Sequence, residues 1–295
     1  MISGALIVDK APDWTSHDVV NKVRRILGER SVGHLGTLDP LATGVLPLLF
    51  GSATRLAKFY GGASKIYEAV VRFGWSTDTY DAAGEPTSTQ VAVDLIHEQV
   101  ELALAGFRGL IAQTPPAYSA KKVGGVPAYK LARKHQAVEL APVEVEIFEL
   151  TLLGFSGDRA QLRVHCSAGT YVRSLANDLG IALGCSAHLH ELRRTQSGDF
   201  SLDGAHTVEQ LETLGRENRL QEAILPAPEL LPEFPCVTTD AITAAQIRNG
   251  RNFHTSPFRV RHGSKYVKAL TESGSLLAVG EAVLPNVYHP VIVFG

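Results

Sequence analysis

Cysteine is scarce: Cys166, Cys185 and Cys236 are the three in a chain of 295 residues, and they stand far apart. That excludes a disulfide framework and a zinc site built on closely spaced thiolates. Long apolar runs are missing too, since no window approaches the roughly 18 apolar residues that a membrane helix needs. Met1 to Lys10 has no basic region leading into a long apolar stretch, so no signal peptide is expected. A cytoplasmic location is the default. With 28 Lys and Arg against 30 Asp and Glu, the chain has no global field of one sign, and a nucleic-acid binder would need a basic face instead. Neither a Gly-x-Ser-x-Gly segment nor a glycine loop ending in Gly-Lys-Ser/Thr occurs. His34 and Asp39 lack further ligands at a recognisable spacing, so no metal and no other cofactor is expected.

What is present is a globular composition, 45% hydrophobic and 20% charged, long enough for one large domain and one small one. Between residues 203 and 233 the acids Asp203, Glu209, Glu212, Glu217, Glu222, Glu229 and Glu233 face only Arg216 and Arg219. From Val237 the balance reverses, through Arg248, Arg251, Arg259, Arg261, Lys265 and Lys268. A reversal across a proline-rich segment marks a boundary, with a basic, mostly β module after Cys236.

Along the chain, Gly4 to Asp9 reads as a buried strand, and Thr15 to Asp18 offers caps for a helix ending near Gly28. A short helix is expected over Thr54 to Tyr60 and a longer one over Val93 to Leu104. Lys65 to Gly74 alternates, with Tyr67, Ala69, Val71 and Phe73 on one face. Two antiparallel strands are expected over Val143 to Leu153 and Ala160 to Cys166, joined through Gly154 to Asp158. A helix from Val172 should end at Gly180, and a strand-like piece lies within His188 to Phe200. In the tail, Thr239 to Gly250 reads as a capped helix, with brief strands near Leu276 to Val279 and Pro290 to Phe294. Between residues 114 and 134, Tyr118, Lys121, Lys122, Tyr129, Lys130, Arg133 and Lys134 mix rings and cations. Bases could stack there while phosphates are neutralised, or the stretch is a solvated basic loop with packed tyrosines.

One stretch organises the rest. Gly33 to Leu48 gathers three glycines, two prolines and two threonines around a single carboxylate, Asp39. Pro40 removes a donor and biases Asp39 toward an extended backbone, so an irregular loop is expected. By itself such an Asp-Pro is more often a turn former than a catalyst.

Four ordered motifs decide between these. Gly33 to Leu46 fits Gly-His-x-Gly-Thr-Leu-Asp-Pro-x-Ala-x-Gly-x-Leu at every specified position. Lys65-Ile66-Tyr67 fits Lys-x-Tyr, Cys166 to Arg173 fits Cys-Ser-x-Gly-Thr-Tyr-x-Arg, and Leu192 to Phe200 fits Leu-x-Arg-Thr-x-x-Gly-x-Phe, with Arg194 at the arginine position. Together they resemble the TruB family of tRNA pseudouridine synthases. One departure is visible: Lys10-Ala11-Pro12-Asp13-Trp14-Thr15-Ser16 replaces the family's Lys-Pro-x-Gly-x-Thr-Ser, which bears on the local backbone path.

The resemblance implies an α+β pseudouridine synthase fold with a mixed, mainly antiparallel sheet over residues 1–232. It also implies an RNA-gripping insertion at 113–146 and a small, mostly β, PUA-like domain at 236–295. It makes Asp39 the catalytic carboxylate, Arg173 its cation, and Tyr67 the ring that stacks on the target base and assists removal of the C5 proton. His34, Gly36, Thr37, Tyr171, Lys121 and Lys130 would contact substrate, with His34 probing the stack vacated by the extruded base. The implied partner is the T-stem-loop of tRNA, modified at uridine 55 by a monomer that needs neither guide RNA, protein partner nor membrane. An RNA-folding chaperone could use the same surface. A glycoside hydrolase would need a second carboxylate that no motif supplies.

Overall fold

The computed structural model describes residues 3–119, 121–132, 134, 136, 140–256 and 264–294. Arg133, Arg259 and Arg261, counted above among the cations, lie outside them. Thr15, within the stretch expected to supply a cap, opens the first helix, Ser16–Leu27, with a capping box: its hydroxyl accepts from the Asp18 N–H while Asp18 accepts from the Thr15 N–H. Gly28, at φ 63°, closes the helix in the left-handed conformation. Asp13 lies where the family has glycine, and it too is left-handed, at φ 65°. Aspartate tolerates that region better than most residues, so the path survives the substitution. The Asp13 N–H donates to the Pro40 carbonyl at 2.9 Å, tying this turn to the Asp39 loop.

The main sheet runs in the order Leu225–Pro226, Gly4–Lys10, Thr43–Phe50, Ala187–Ser197, Lys65–Phe73, Arg159–Cys166, Val143–Ser156 and Gly109–Gln113, with Val32–His34 and Phe200–Ser201 paired at its flanks. Its pairs are antiparallel except Ala187–Ser197 against Thr43–Phe50, the mixed and mainly antiparallel sheet expected. The alternation in Lys65–Phe73 sends Tyr67, Ala69, Val71 and Phe73 into the core beneath Val172–Ala182.

Several expected boundaries shift. Gly33 and His34 belong to the strand Val32–His34, and residues 43–48 to the strand Thr43–Phe50, so only 35–42 is irregular. Pairing with Gly4–Lys10 outweighs the missing N–H of Pro47. The piece expected as a helix over 54–60 is a 3-10 helix, Gly51–Phe59, and the one expected from Val93 starts at His97. The two long strands run Val143–Ser156 and Arg159–Cys166, leaving only Gly157 and Asp158 between them. The helix expected to stop at Gly180 continues to Ala182. Gly180 serves packing instead, because a Cβ there would lie 2.2 Å from the Ala187 N of the adjoining strand.

The tail forms a second sheet, ordered Cys236–Thr238, Tyr266–Leu270, Leu276–Leu284, Val287–Val293 and Phe253–His254. Its helix, Ala241–Arg248, is capped by Asp240. The two sheets share an apolar seam: Val45, Leu49, Leu56 and Tyr60 pack in one cluster with Leu276, Val279, Ile292 and Phe294. Phe59, Phe234 and Tyr266 form a triangle of rings with centroids 5.0–5.3 Å apart, and Lys268 donates to the carbonyls of Pro228 and Leu230. No helix among the described residues is long and apolar enough to cross a membrane.

Candidate active site

The loop 35–42 hangs from four anchors. Ser16, the first residue of its helix, is buried and gives its hydroxyl to the Leu38 carbonyl at 2.9 Å while accepting the Leu38 N–H at 2.8 Å. Lys10 is fully buried, and its ammonium donates to the carbonyls of Ala11, Trp14 and Pro40. The Ala42 N–H closes a turn on the Asp39 carbonyl at 3.1 Å, with Pro40 in the position that favours its fixed φ. Arg194, 1% exposed, donates to the carbonyls of Val45, Gly36 and Thr37. A register shift after Arg194 in its strand accompanies this inward aim, and Arg193 beside it pairs instead with Asp9. Gly44 permits the approach: at φ 97°, a Cβ on it would fall 2.2 Å from the Arg194 carbonyl oxygen.

On this platform Asp39 meets Arg173. The guanidinium Nε lies 2.9 Å from Asp39 Oδ2; the arginine side chain is 7% exposed and the aspartate 38%. The same guanidinium donates to the carbonyls of Thr79 at 3.1 Å and Tyr118 at 2.9 Å, and stands 3.7 Å from the buried carboxylate of Asp81. Arg173 is therefore fixed on several sides, and one face of Asp39 stays open. Burial and the Asp81 charge push the Asp39 carboxyl above the ordinary carboxylate range, against the pull of Arg173 and Lys10. Burial also pushes the Lys10 ammonium down, to about 8.

Tyr67 is 8% exposed, and the charge of the Arg194 guanidinium acts on its phenol. Burial raises its phenol above the ordinary value, so the ring is neutral at pH 7, with Arg194 the cation placed to stabilise a developing phenolate. Tyr171 caps the helix that carries Arg173, and burial raises its phenol as well. His34 ends its strand with Nδ1 buried and unpartnered; burial, followed by Arg194 and His17, lowers its proton affinity and keeps the ring neutral. Gly36 and Thr37 contribute carbonyls to Arg194, and the Thr37 side chain is exposed. Lys121 and Lys130 are exposed at a small hairpin and the helix Ala128–Ala132, and no described contact joins either to the Asp39 group.

Lys10, Asp81, Gln113 and Arg194 were missed as site residues. Arg194 sits inside a matched motif and Lys10 opens the segment that departs from the family pattern, which was the available signal; Asp81 lay in a turn-rich polar segment with none. Among the described residues no group of three His, Cys, Asp or Glu side chains is placed to hold a metal.

A half-open carboxylate locked to a buried guanidinium, with a neutral tyrosine alongside, is carried here on a large, mainly antiparallel mixed sheet. Residues 24–172 match the TruB family pseudouridylate synthase N-terminal domain, and residues 173–232 match the tRNA pseudouridylate synthase B C-terminal domain. The chain is 63% identical to tRNA pseudouridine synthase B of Solibacter usitatus, over 99% of this chain and 100% of that one. It is 44% identical to the protein of the same name from Dechloromonas aromatica, over 95% and 91% of the two chains. A chain in the crystal structure of the archaeal box H/ACA sRNP Nop10-Cbf5 complex superposes with a TM-score of 0.72 at 26% identity, covering 98% of this chain and 85% of that one. The chain belongs to the TruB family of pseudouridylate synthases, with the pseudouridine synthase fold. It is an isomerase.

Proposed function

We propose that the protein isomerises uridine 55 in the T-loop of tRNA to pseudouridine, with Asp39 as the catalytic carboxylate. The observation that carries this reading is the 2.9 Å pair between Asp39 and Arg173 inside the matched motifs. The substrate class is supported by the name shared by its relatives, tRNA pseudouridine synthase B.

Breaking the C1'–N1 bond leaves electron deficiency at C1'. A carboxylate can bond to that carbon, stabilise its charge, or assist loss of the C2' proton, and Asp39 has its open face for any of these. Arg173, held by two carbonyls, keeps the carboxylate aimed without swinging toward it and quenching it. The freed uracil turns and C5 bonds to C1', after which the C5 proton must leave. Tyr67 stacks on the base and takes part in that transfer through its phenol, with Arg194 balancing the charge that builds there. The uridine must leave its stack before its sugar reaches Asp39, and His34, neutral and short of one hydrogen-bond partner, takes the vacated place.

Residues 1–232 form the catalytic domain in this reading, with 113–146 gripping RNA through Lys121 and Lys130. The sheet from 236 onward is a PUA-like RNA-binding domain. The enzyme works in the cytoplasm as a monomer, without guide RNA or cofactor. Chaperoning of tRNA is a second property the same surface supports, and it would survive loss of the carboxylate.

The test is incubation of the purified full chain with unmodified tRNA and mapping of pseudouridine at single-nucleotide resolution. Conversion at uridine 55 is expected. Conversion confined to other positions overturns the substrate assignment.

A further inference from the structure

The strand Gly109–Gln113, at the root of the insertion, ends on a glutamine with no solvent exposure. Gln113 Nε2 donates to the Tyr171 carbonyl at 3.1 Å, and the Tyr171 N–H donates to Gln113 Oε1 at 2.8 Å. One side-chain amide thus pairs with both backbone groups of one residue, as a neighbouring strand would. That residue is the N-cap of Val172–Ala182, and its own side chain makes no capping bond, so the start of the helix is held from across the fold. The contacts that follow run in step: Ser174 Oγ donates to the Thr114 carbonyl at 2.7 Å, and Arg173 Nη2 to the Tyr118 carbonyl at 2.9 Å. Residues 113–118 therefore line up along 171–174, with Gln113 gripping the backbone two residues before Arg173.

We propose that Gln113 is a positioning residue for the isomerisation: by fixing the backbone at Tyr171 it aims the Arg173 guanidinium at Asp39. This rests on the reading of Asp39 and Arg173 as the reacting pair given above. Gln113 touches neither side chain and carries no charge, so its influence runs through the direction in which Arg173 leaves its helix. An error of about 1 Å in such an aim is enough to lower a rate by roughly a hundredfold.

Gln113→Met keeps the length and volume of the side chain and deletes both bonds to Tyr171. In the full-length protein, kcat on tRNA is expected to fall about tenfold to a hundredfold while KM stays within about twofold, since RNA grip is untouched. A second readout carries the sign. Arg173 pulls the Asp39 carboxyl down against burial and Asp81, so a misaimed guanidinium lets it rise further. The acid limb of the kcat/KM profile then moves to higher pH. The titration of the Asp39 carboxyl carbon, followed by NMR in the absence of RNA, moves the same way.

The NMR titration needs no substrate, which separates two failures. Wild-type protein that leaves tRNA unmodified sinks the proposed function. A folded Gln113→Met protein whose Asp39 titrates as in wild type sinks the positioning role, as does one with lowered thermal stability but unchanged kcat and acid limb. Where methionine prevents folding, Gln113→Asn keeps the amide but falls a methylene short of Tyr171, and the same shifts are expected of it. Unchanged titration in that variant overturns the proposal equally.

Discussion

Two lysines lie buried in this molecule, Lys10 at 0% exposure and Lys268 at 2%, and they show how differently its two regions are held. Both give their ammonium to backbone carbonyls. Around Lys10 the neighbours include other ions, Asp39, Asp13 and Asp18, with Arg194 anchoring the same loop. Lys268 shares its strand with Tyr266 and Leu270 of the apolar seam and reaches the backbone of Leu230 within it. Desolvating a cation is costly, and rings or leucines of similar volume would fill the space at least as favourably. Adhesion is what the seam needs, and apolar contact supplies most of it. Beneath Asp39 the requirement is a charge in a set place, and carbonyls that hold a cation without neutralising it meet that requirement.

The largest effect that tests the contrast is at the charge itself. Asp39→Asn should leave a folded protein that still binds tRNA and makes no pseudouridine; measurable multiple turnover would break the distinction between charge and mere shape. In the seam the expectation reverses. Phe234→Ala should lower unfolding free energy by about 2–3 kcal/mol, read from denaturant curves, because it empties part of a ring cluster that is only partly buried. Activity per folded molecule should hold, and a fall in kcat without loss of stability would show that the seam serves chemistry as well.

The smallest effect concerns the turn that braces the loop. Asp13→Gly should change stability by no more than about 0.5–1 kcal/mol, since glycine accepts the same backbone but loosens the unfolded chain. Asp13→Val should cost about 1–2 kcal/mol at a left-handed position. Equal melting temperatures for the two variants would mean that the positive φ of Asp13 carries no strain.

These regions were unequally legible. Alternation found the strand Lys65–Phe73, and residue type placed a cap within Thr15 to Asp18, because both are local signals read from a few residues. Residue type also placed the end of Val172–Ala182 at Gly180 because glycine after a helical run ordinarily stops it; the opposing strand that demands a glycine there is far away in sequence. Asp39 and Arg173 were legible through matched motifs and not through residue chemistry, since an Asp-Pro turn and a helical arginine each have commoner roles. Asp81 and Gln113 were not legible in that way. Their significance lies in what they meet, the Arg173 guanidinium for Asp81 and the Tyr171 backbone for Gln113, and those partners are brought together only by the fold. The helix Val208–Arg216 was passed over because its stretch was weighed for charge alone, although Thr207 and Gln210 form a capping box.

The ring triangle at Phe59, Phe234 and Tyr266 has one further implication. Three rings packed against one another resist the sliding of one sheet over the other, which favours a fixed span between the tail sheet and the Asp39 loop. For an RNA that touches both, the protein is a caliper. If the tail sheet binds RNA as proposed above, such a substrate would be gauged by the span between two of its own features before any bond in it is broken, and a molecule with the right loop on the wrong length of stem would be rejected by dimension.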